Sequence, residues 1–210
     1  MITRKHILLV GNAPSLPATL LRRLAAGASL IVATDGGADK ALAAGLRPQV
    51  VIGDLDTVSE QARTALAQAQ WVHVKNQDNT DLEKALLWLK NKPSSLLLLA
   101  GFSGGRIDFE IGNFLAVYPY LKKHTICFIG PHWQMWPLRT GKNFTCRKGA
   151  RLSLIPLQPC RGVSLSGCQY TLHEENLSWK KAGYTLSNRV QKSRVTVSLR
   201  GGYLLVYIEE

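Results

Sequence analysis

The sequence lacks the features of membrane, collagen-like and disordered proteins. Its purely apolar stretches, such as residues 7–10 and 96–100, are far shorter than the roughly 20 residues that span a bilayer. Glycine and proline together make up 27 of 210 residues, which is ordinary usage for a folded protein. The amino terminus has neither a long apolar signal core nor a small-residue cleavage site, so we expect a cytoplasmic protein.

Cysteine is also scarce. The four cysteines, at positions 127, 146, 160 and 168, form no Cys-x-x-Cys pair and have no neighbouring histidine at zinc-finger spacing. We therefore expect reduced, mostly buried thiols rather than a disulfide framework or a zinc site.

Acidic residues are few, 14 against 26 lysines and arginines, which gives a formal net charge of +12. Residues 138–210 hold most of the excess, with 12 basic and 4 acidic residues. Such a surplus suits phosphorylated ligands or polyanions, so a nucleic-acid binder is one hypothesis. The basic residues are scattered and have no interleaved aromatics, so a solvated basic surface is the simpler interpretation.

What the sequence does contain is an alternation of short apolar runs and helical stretches over its first 130 residues. This alternation predicts βαβ units around an open, parallel, Rossmann-like α/β sheet. The predicted strands are 7–10, 30–34, 50–53, 71–74, 96–100 and 125–129. The predicted helices are 18–26, 39–44, 59–68, 81–90 and 107–121.

After residue 137 the pattern changes to short alternating segments separated by proline and glycine, which predicts a small all-β domain. The predicted segments are 151–155, 162–165, 185–187, 194–199 and 203–208, with residues 131–137 as a crossover. The sequence therefore predicts two domains, residues 1–137 and residues 138–210.

The residues that follow the predicted strands are acidic. Asp35 follows the second strand, Asp54 and Asp56 follow the third, and Asp78 and Asp81 follow the fourth. Ligands of open α/β sheets gather at the carboxyl ends of the strands. Singly, such residues also serve as turn formers or helix caps, for which Asp78 and Asp81 have suitable spacing. In an extended segment, Asp54 and Asp56 would project to one side, where a cation must offset their repulsion.

Together these strand ends predict a cluster of carboxylates at one rim of the sheet. Oxygen ligands without His or Cys favour Mg²⁺, which binds one or two carboxylates together with waters and substrate phosphates. The loop before Asp108 suits phosphate, because Gly104 and Gly105 expose backbone N–H groups and Arg106 adds a forked cationic donor. Neither a Walker loop nor a Gly-x-Gly-x-x-Gly sequence occurs.

In their residues and in their order along the chain, these motifs resemble those of the thiamin pyrophosphokinase family. The matching segments are Asp35-Gly36-Gly37-Ala38, Gly53-Asp54-Leu55-Asp56-Thr57, Gln77-Asp78-Asn79-Thr80-Asp81 and Gly104-Gly105-Arg106-Ile107-Asp108 with Asn113. The resemblance continues through residues 154–156, 167–172 and 187–188, so it covers nearly the whole chain.

The resemblance implies an α/β catalytic domain that binds ATP and Mg²⁺, followed by a β-sandwich domain that helps to hold thiamin. It also implies a homodimer with active sites between the subunits. The implied reaction converts ATP and thiamin into thiamin diphosphate and AMP.

The resemblance also implies roles for individual residues. The implied Mg²⁺ ligands are Asp54, Asp56 and Asp81. Arg106 would contact the triphosphate beside Gly104 and Gly105, and Asp35 and Asp108 would help to organise the site. The residues that would contact thiamin or line the substrate pocket are Gln77, Asp78, Asn113, Ser187 and Asn188. Either Asp81 or Asp108 would accept the hydroxyl proton.

Two departures from the family pattern leave alternatives open. Phe109 stands where the family commonly has a polar His or Gln, and no aromatic follows Asn188 closely, so Tyr170, Trp179 and Tyr184 are candidates to stack on thiamin. One alternative is a sister pyrophosphokinase that acts on a hydroxymethyl pterin. Another, suggested by Phe109, is a catalytically silent protein that binds thiamin or its diphosphate.

Overall fold

The structure is a computed structural model that describes residues 5–210, apart from the side chains at 181 and 182. The chain divides into two compact units, Met1–Pro131 and His132–Glu210. The first is a mixed α/β unit and the second is rich in β-strands. Both features were predicted from the sequence.

The first unit contains a sheet of parallel strands. The strands are β1 (His6–Val10), β2 (Ala28–Thr34), β3 (Val50–Gly53), β4 (Gln70–His73), β5 (Leu96–Ala100) and β6 (Thr125–Gly130). They lie in the order β4-β3-β2-β1-β5-β6. In register, Leu9 pairs with Val32 on one side and with Leu99 on the other. The chain order reverses direction between β1 and β5, which is where open α/β sheets place ligands.

Five helices connect these strands. They are α1 (Ala18–Ala25), α2 (Gly37–Ala43), α3 (Glu60–Ala65), α4 (Asp81–Leu89) and α5 (Ile107–Ala116). The prediction of one helix over 107–121 is wrong, because α5 ends at Ala116 and a 3₁₀ helix, Tyr118–Lys122, follows it. Pro119 accounts for the break, since it disfavours the α conformation at the residue before it.

Helix α4 begins at Asp81, as predicted, and has a defined N-terminal cap. Thr80 and Glu83 form a capping box, in which the Thr80 hydroxyl accepts a bond from the Glu83 N–H and the Glu83 carboxylate accepts one from the Thr80 N–H. The cap does not involve Asp78 and Asp81, whose spacing also suited a capping pair. The side chain of Asp81 is therefore not used in capping its own helix.

The second unit is built from antiparallel strands. They are β7 (Trp133–Leu138), β8 (Lys142–Thr145), β9 (Arg151–Ser166), β10 (Leu172–Leu177), β11 (Asn188–Arg189), β12 (Arg194–Ser198) and β13 (Gly201–Glu209). The long strand β9 pairs with β13 and β11 along its first part, and with β10 and β12 towards its end.

Three sequence predictions for this part of the chain are wrong. Residues 133–138 form a strand rather than a crossover, because the apolar run there pairs along β13. The segments 151–155 and 162–165 are one continuous strand. The segment 185–187 is not a strand, since Thr185 ends a 3₁₀ helix, Trp179–Thr185.

Among the residues that the structure describes, no helix combines the length and the apolar character that a membrane span requires.

Aromatic packing on β6 gives a test of the first unit's core. Phe128 is fully buried, and its ring meets that of Phe114 edge to face, with 4.8 Å between the centroids. We expect Phe128→Ala to lower the free energy of unfolding by about 3–5 kcal/mol, because it leaves a cavity that the sheet cannot close. Phe128→Leu, which keeps most of the apolar volume, is the control and should cost less than half as much. Chemical denaturation measures both, and equal stability of Phe128→Ala and the natural chain would contradict this packing.

Candidate active site

Three carboxylates meet at the carboxyl end of the parallel sheet. Asp35 follows β2, Asp54 follows β3 and Asp81 begins α4. One carboxylate oxygen from each of the three residues lies within 4.8 Å of the others. We call Asp35, Asp54 and Asp81 the acid cluster. Oxygen donors without His or Cys at this spacing fit a hard divalent cation such as Mg²⁺.

The backbone between β3 and α3 shapes this cluster. Asp35 is buried, and its Oδ1 accepts a hydrogen bond from the Leu55 N–H at 2.8 Å. A side chain at Gly53 would place its Cβ 2.1 Å from the same Oδ1, so the close approach requires glycine. Leu55 has a left-handed backbone with φ 67, so the predicted extended segment over 54–56 is wrong. Asp56 is exposed; its carboxyl lies beside that of Asp54 but is not in the cluster of three.

A lysine side chain lies against the acid cluster. The Lys84 Nζ is 3.1 Å from Asp54 Oδ2 and 3.3 Å from Asp81 Oδ1, and the Lys84 side chain is only 3% exposed. Burying an ammonium group is costly unless carboxylates pair with it. Lys84 therefore acts as a fixed counter-ion that holds the Asp54 and Asp81 carboxylates in place.

The pKa values of Asp35 and Asp54 shift in opposite directions within the acid cluster. Burial, followed by the hydrogen bond with Asp54, raises the pKa of Asp35 to about 7. The bond with Asp35 and the Lys84 ammonium lower the pKa of Asp54. Burial disfavours the charged form of Lys84, but the Asp54 and Asp81 carboxylates outweigh it and raise the pKa of the ammonium. Below about pH 7 and without a metal, Asp35 and Asp54 therefore share a proton that resides on Asp35.

A cavity of about 830 Å³ adjoins the cluster. Its lining includes Asp54, Asp81 and Lys84 on one part of the wall, and the loop after β5 with Arg106 on another. A cavity of this size suits a nucleotide or a similar ligand. The carboxylates of Asp54 and Asp81 and the loop after β5 thus line the same cavity. This agrees with the expectation that ligands gather at the carboxyl ends of the strands.

Arg106 is held by two neighbours at the N-terminus of α5. Its Nε and Nη2 donate to the Asp108 carboxylate at 3.2 and 2.6 Å. Its guanidinium also lies over the Phe109 ring, with 4.5 Å from Cζ to the ring centroid. The ion pair lowers the pKa of Asp108. One N–H of Nη1 and the second N–H of Nη2 lie side by side on the Nη1–Nη2 edge, outside the pairing with Asp108, and are suited to an anionic ligand.

Side chains of α5 also fix the rest of the loop. The Gly104 N–H donates to the Glu110 carboxylate at 3.0 Å, in a left-handed turn with φ 83 at Gly104. The buried Asn113 amide donates to the Phe102 carbonyl at 2.9 Å. Asn113 therefore holds the loop in place at the cavity wall.

The second unit contains the remaining two predicted residues. Ser187 is exposed and has a left-handed backbone with φ 58. Asn188 is buried, and its amide bonds to both the N–H and the carbonyl of Tyr170, at 3.1 and 2.7 Å. The contacts of Asn188 are therefore those of a residue that anchors a loop. Tyr170, Trp179 and Tyr184 are each at least 67% exposed, so their rings are accessible.

The predicted site residues thus fall into three groups. Those that line the cavity are Asp54, Gln77, Asp78, Asp81, Gly105, Arg106 and Asn113. Those that lie beside these lining residues are Asp35, Asp56, Gly104 and Asp108. Those in the second unit are Ser187 and Asn188.

Sequence reasoning missed Lys84 and the loop after β1, whose Asn12 also lines the cavity. Lys84 follows Asp81 by one helical turn and lies between the buried residues Leu82 and Ala85. A lone lysine on an apolar helix face was the available signal. Asn12 follows a strand just as the aspartates do, but it is uncharged and so gave no signal of a metal or phosphate site.

Comparison with protein families identifies the chain. Residues 21–129 match the model of the catalytic domain of thiamin pyrophosphokinase. Residues 139–204 match the model of its vitamin B1 binding domain. The chain belongs to the thiamin pyrophosphokinase family. The resemblance inferred from the motifs is thereby confirmed.

Individual thiamin pyrophosphokinases agree with this assignment. The thiamine pyrophosphokinase of Bacillus subtilis is 30% identical over 187 residues, which cover 85% of this chain and 86% of that protein. Thiamine pyrophosphokinase 1 of Arabidopsis thaliana is 28% identical, over 72% of this chain and 61% of that protein. Among solved structures, that of the Bacillus subtilis enzyme aligns with a TM-score of 0.84 at 26% identity, over 98% of this chain and 99% of that chain. The Geobacillus thermodenitrificans enzyme aligns with a TM-score of 0.83, also at 26% identity, over 97% of each chain.

The raised pKa of Asp35 predicts how stability depends on pH once divalent cations are removed with EDTA. Because the folded pKa of about 7 exceeds the ordinary Asp value, this group stabilises the fold at low pH and loses that contribution as pH rises to about 7. Asparagine mimics the protonated carboxyl and tolerates the left-handed backbone of Asp35. We expect Asp35→Asn to match the natural chain near pH 4 and to be more stable by roughly 2 kcal/mol at pH 8. Thermal unfolding in EDTA measures this, and equal stability at pH 8 would contradict the shared proton.

Proposed function

We propose that this chain transfers the pyrophosphoryl group of ATP to the hydroxyl of thiamin, giving thiamin diphosphate and AMP. Membership of the thiamin pyrophosphokinase family supports this reaction. The structural observation that carries it is that Asp54 and Asp81 line the same cavity as Arg106 and the loop after β5. The proposed metal site and the proposed phosphate site would thus adjoin one another.

Mg²⁺ is the proposed cofactor. Asp54 and Asp81 would hold it, with Asp35 beside them, and the predicted role of Asp56 is kept because its carboxyl lies next to Asp54. When bound, Mg²⁺ neutralises the charge of the phosphate oxygens and helps to align them. Lys84 contacts the Asp54 and Asp81 carboxylates and would orient them before a cation binds.

The loop after β5 provides the other contacts for phosphate. Arg106 would donate to the triphosphate from its Nη1–Nη2 edge, while Asp108 holds the opposite edge. The N–H group of Gly105 would add a further donor, and the Gly104 N–H would do so by exchanging the Glu110 carboxylate for a phosphate oxygen. Because the transferred group carries several negative charges, alignment and charge neutralisation account for most of the catalysis.

The transfer itself exchanges one P–O bond for another. The thiamin hydroxyl oxygen attacks the β-phosphorus of ATP, and the bridging oxygen between the α- and β-phosphorus leaves on AMP. The hydroxyl proton passes to a carboxylate, for which Asp81 and Asp108 are the candidates. Both stand near the loop and the cavity, Asp81 in the wall and Asp108 on Arg106.

We assign thiamin recognition to residues 138–210, as a β-sandwich domain, and ATP binding to residues 1–137, as a Rossmann-like domain. Ser187 would contact thiamin, and Asn188 would present Tyr170 by anchoring its backbone. Tyr170, Trp179 and Tyr184 offer exposed rings for stacking. Gln77 and Asp78 would contact the substrate from the cavity wall, where Asn113 fixes the neighbouring loop.

The alternatives are not favoured. Both family models that match the chain describe thiamin pyrophosphokinase, which argues against a pterin substrate. The retained carboxylates and Arg106 argue against a silent thiamin-binding protein. A cytoplasmic location remains a prediction.

The reaction is tested by incubating the purified chain with ATP, Mg²⁺ and thiamin and resolving the products by chromatography. We expect AMP and thiamin diphosphate in equal amounts. ADP with thiamin monophosphate would mean attack at the terminal phosphate, and turnover of a hydroxymethyl pterin in place of thiamin would select the sister enzyme.

The role of Asp81 is tested by Asp81→Asn. We expect turnover to fall by about 100-fold or more, because the substitution removes one charge from the acid cluster and one candidate proton acceptor. Glu60→Gln is the control, since the Glu60 side chain is 94% exposed and lies outside the cavity. Near-normal turnover of Asp81→Asn would remove Asp81 from both roles.

We also propose a homodimer with active sites between the subunits. Helix α5 supports this, because Ile107, Ile111 and Leu115 form an exposed apolar stripe, each at least 50% exposed. Their spacing of four residues places them on one helix face. Such a stripe on a folded chain is suited to contact with a second copy.

The dimer is tested by Ile111→Glu. A charge in the middle of the stripe should be costly to bury, so we expect this variant to shift towards monomer in sedimentation velocity at micromolar concentration. Gln61→Glu on α3 adds the same charge at another exposed position and serves as the control. A dimer of unchanged stability in Ile111→Glu would exclude this face from the interface.

A further inference from the structure

We propose that Phe109 is a positioning residue for Arg106, and that its ring fixes the guanidinium plane that receives the phosphates of the nucleotide. This inference rests on the proposed function, because it concerns how the same loop binds a triphosphate. Phe109 makes no hydrogen bond to a ligand in this proposal. It acts through Arg106.

The first observation is the pair of hydrogen bonds that Arg106 donates to the Asp108 carboxylate. The carboxylate accepts from Nε at 3.2 Å and from Nη2 at 2.6 Å, so it covers one edge of the guanidinium. Three of the five guanidinium N–H donors then remain, and two of them, one on Nη1 and one on Nη2, lie on the Nη1–Nη2 side. Two parallel donors on that side match two oxygens of a phosphate.

The second observation is the position of the Phe109 ring. It covers a face of the guanidinium, with 4.5 Å between Arg106 Cζ and the ring centroid. The carboxylate of Asp108 alone would leave the plane able to rotate about the Arg106 side chain. The Asp108 carboxylate and the Phe109 ring together restrain both the direction and the tilt of the Arg106 guanidinium plane.

Exposure explains why this restraint is needed. The Arg106 side chain is 71% exposed, so burial does not hold it. Ordering a long arginine side chain on binding costs conformational entropy, and a side chain that is already ordered avoids much of that cost. Arg106 and Phe109 both line the cavity, so the restrained group lies where the ligand binds.

Exposure also explains why Phe109 can be tested. Its ring is 47% exposed, so it is not a core residue whose replacement would unfold the chain. Phe109→Leu removes the π face and keeps apolar bulk. Phe109→Tyr keeps the ring and is the conservative variant.

The test measures binding of Mg²⁺-tripolyphosphate by titration calorimetry to the natural chain, Phe109→Leu, Phe109→Tyr, Arg106→Ala and the double variant Arg106→Ala/Phe109→Leu. We expect about threefold to fivefold weaker binding for Phe109→Leu and restored binding for Phe109→Tyr. In the Arg106→Ala background, Phe109→Leu should have no further effect. In turnover assays, Phe109→Leu should raise KM for ATP by the same factor and leave KM for thiamin unchanged.

Four results would overturn the inference. They are no tripolyphosphate binding by the natural chain, unchanged binding by Phe109→Leu, Phe109→Tyr as weak as Phe109→Leu, and further weakening in the Arg106→Ala background. The proposed function fails separately. If the binding pattern holds but thiamin is not converted, the role of Phe109 stands and the assigned reaction is wrong.

Discussion

The repulsion among three carboxylates at the end of the parallel sheet is the constraint on which the site depends. Parallel strands bring Asp35 and Asp54 together, and the capping box of α4 leaves Asp81 pointing to the same place. The fold tolerates this through Lys84, whose buried ammonium touches Asp54 and Asp81, and through a proton on Asp35. This arrangement costs stability, and the divalent cation of the proposed function would remove that cost on binding.

The proposed phosphate side of the site is restrained by different contacts. The first turn of α5 uses consecutive side chains to hold the loop before it, with Asp108 and Phe109 on Arg106 and Glu110 on Gly104. These contacts are exposed and individually weak. Their combined effect is to aim donors at the cavity before a ligand arrives, which is how phosphoryl transfer gains most of its rate.

The sequence predicted the parallel sheet because its apolar runs are short, bounded and separated by helical stretches. It predicted a carboxylate cluster because acidic residues follow several strands in succession, although each of them singly could form a turn or cap a helix. It could not predict that Leu55 adopts a left-handed backbone, or that Asp35 joins the cluster while Asp56 lies outside it, since both depend on the contact between β2 and β3. The anchoring contacts of Asn188 and the burial of Lys84 likewise arise only from tertiary packing. Local propensity carries no information on such contacts.

The central claim is that the acid cluster is the divalent-cation site of this chain. Titration with Mn²⁺ followed by electron paramagnetic resonance tests it most directly, because Mn²⁺ prefers the same oxygen ligands as Mg²⁺. The account predicts that Mn²⁺ binds the natural chain and Glu60→Gln alike, and that Asp54→Asn weakens binding by about tenfold or more. Unchanged Mn²⁺ affinity in Asp54→Asn would contradict the account, because the cation would then have to bind elsewhere.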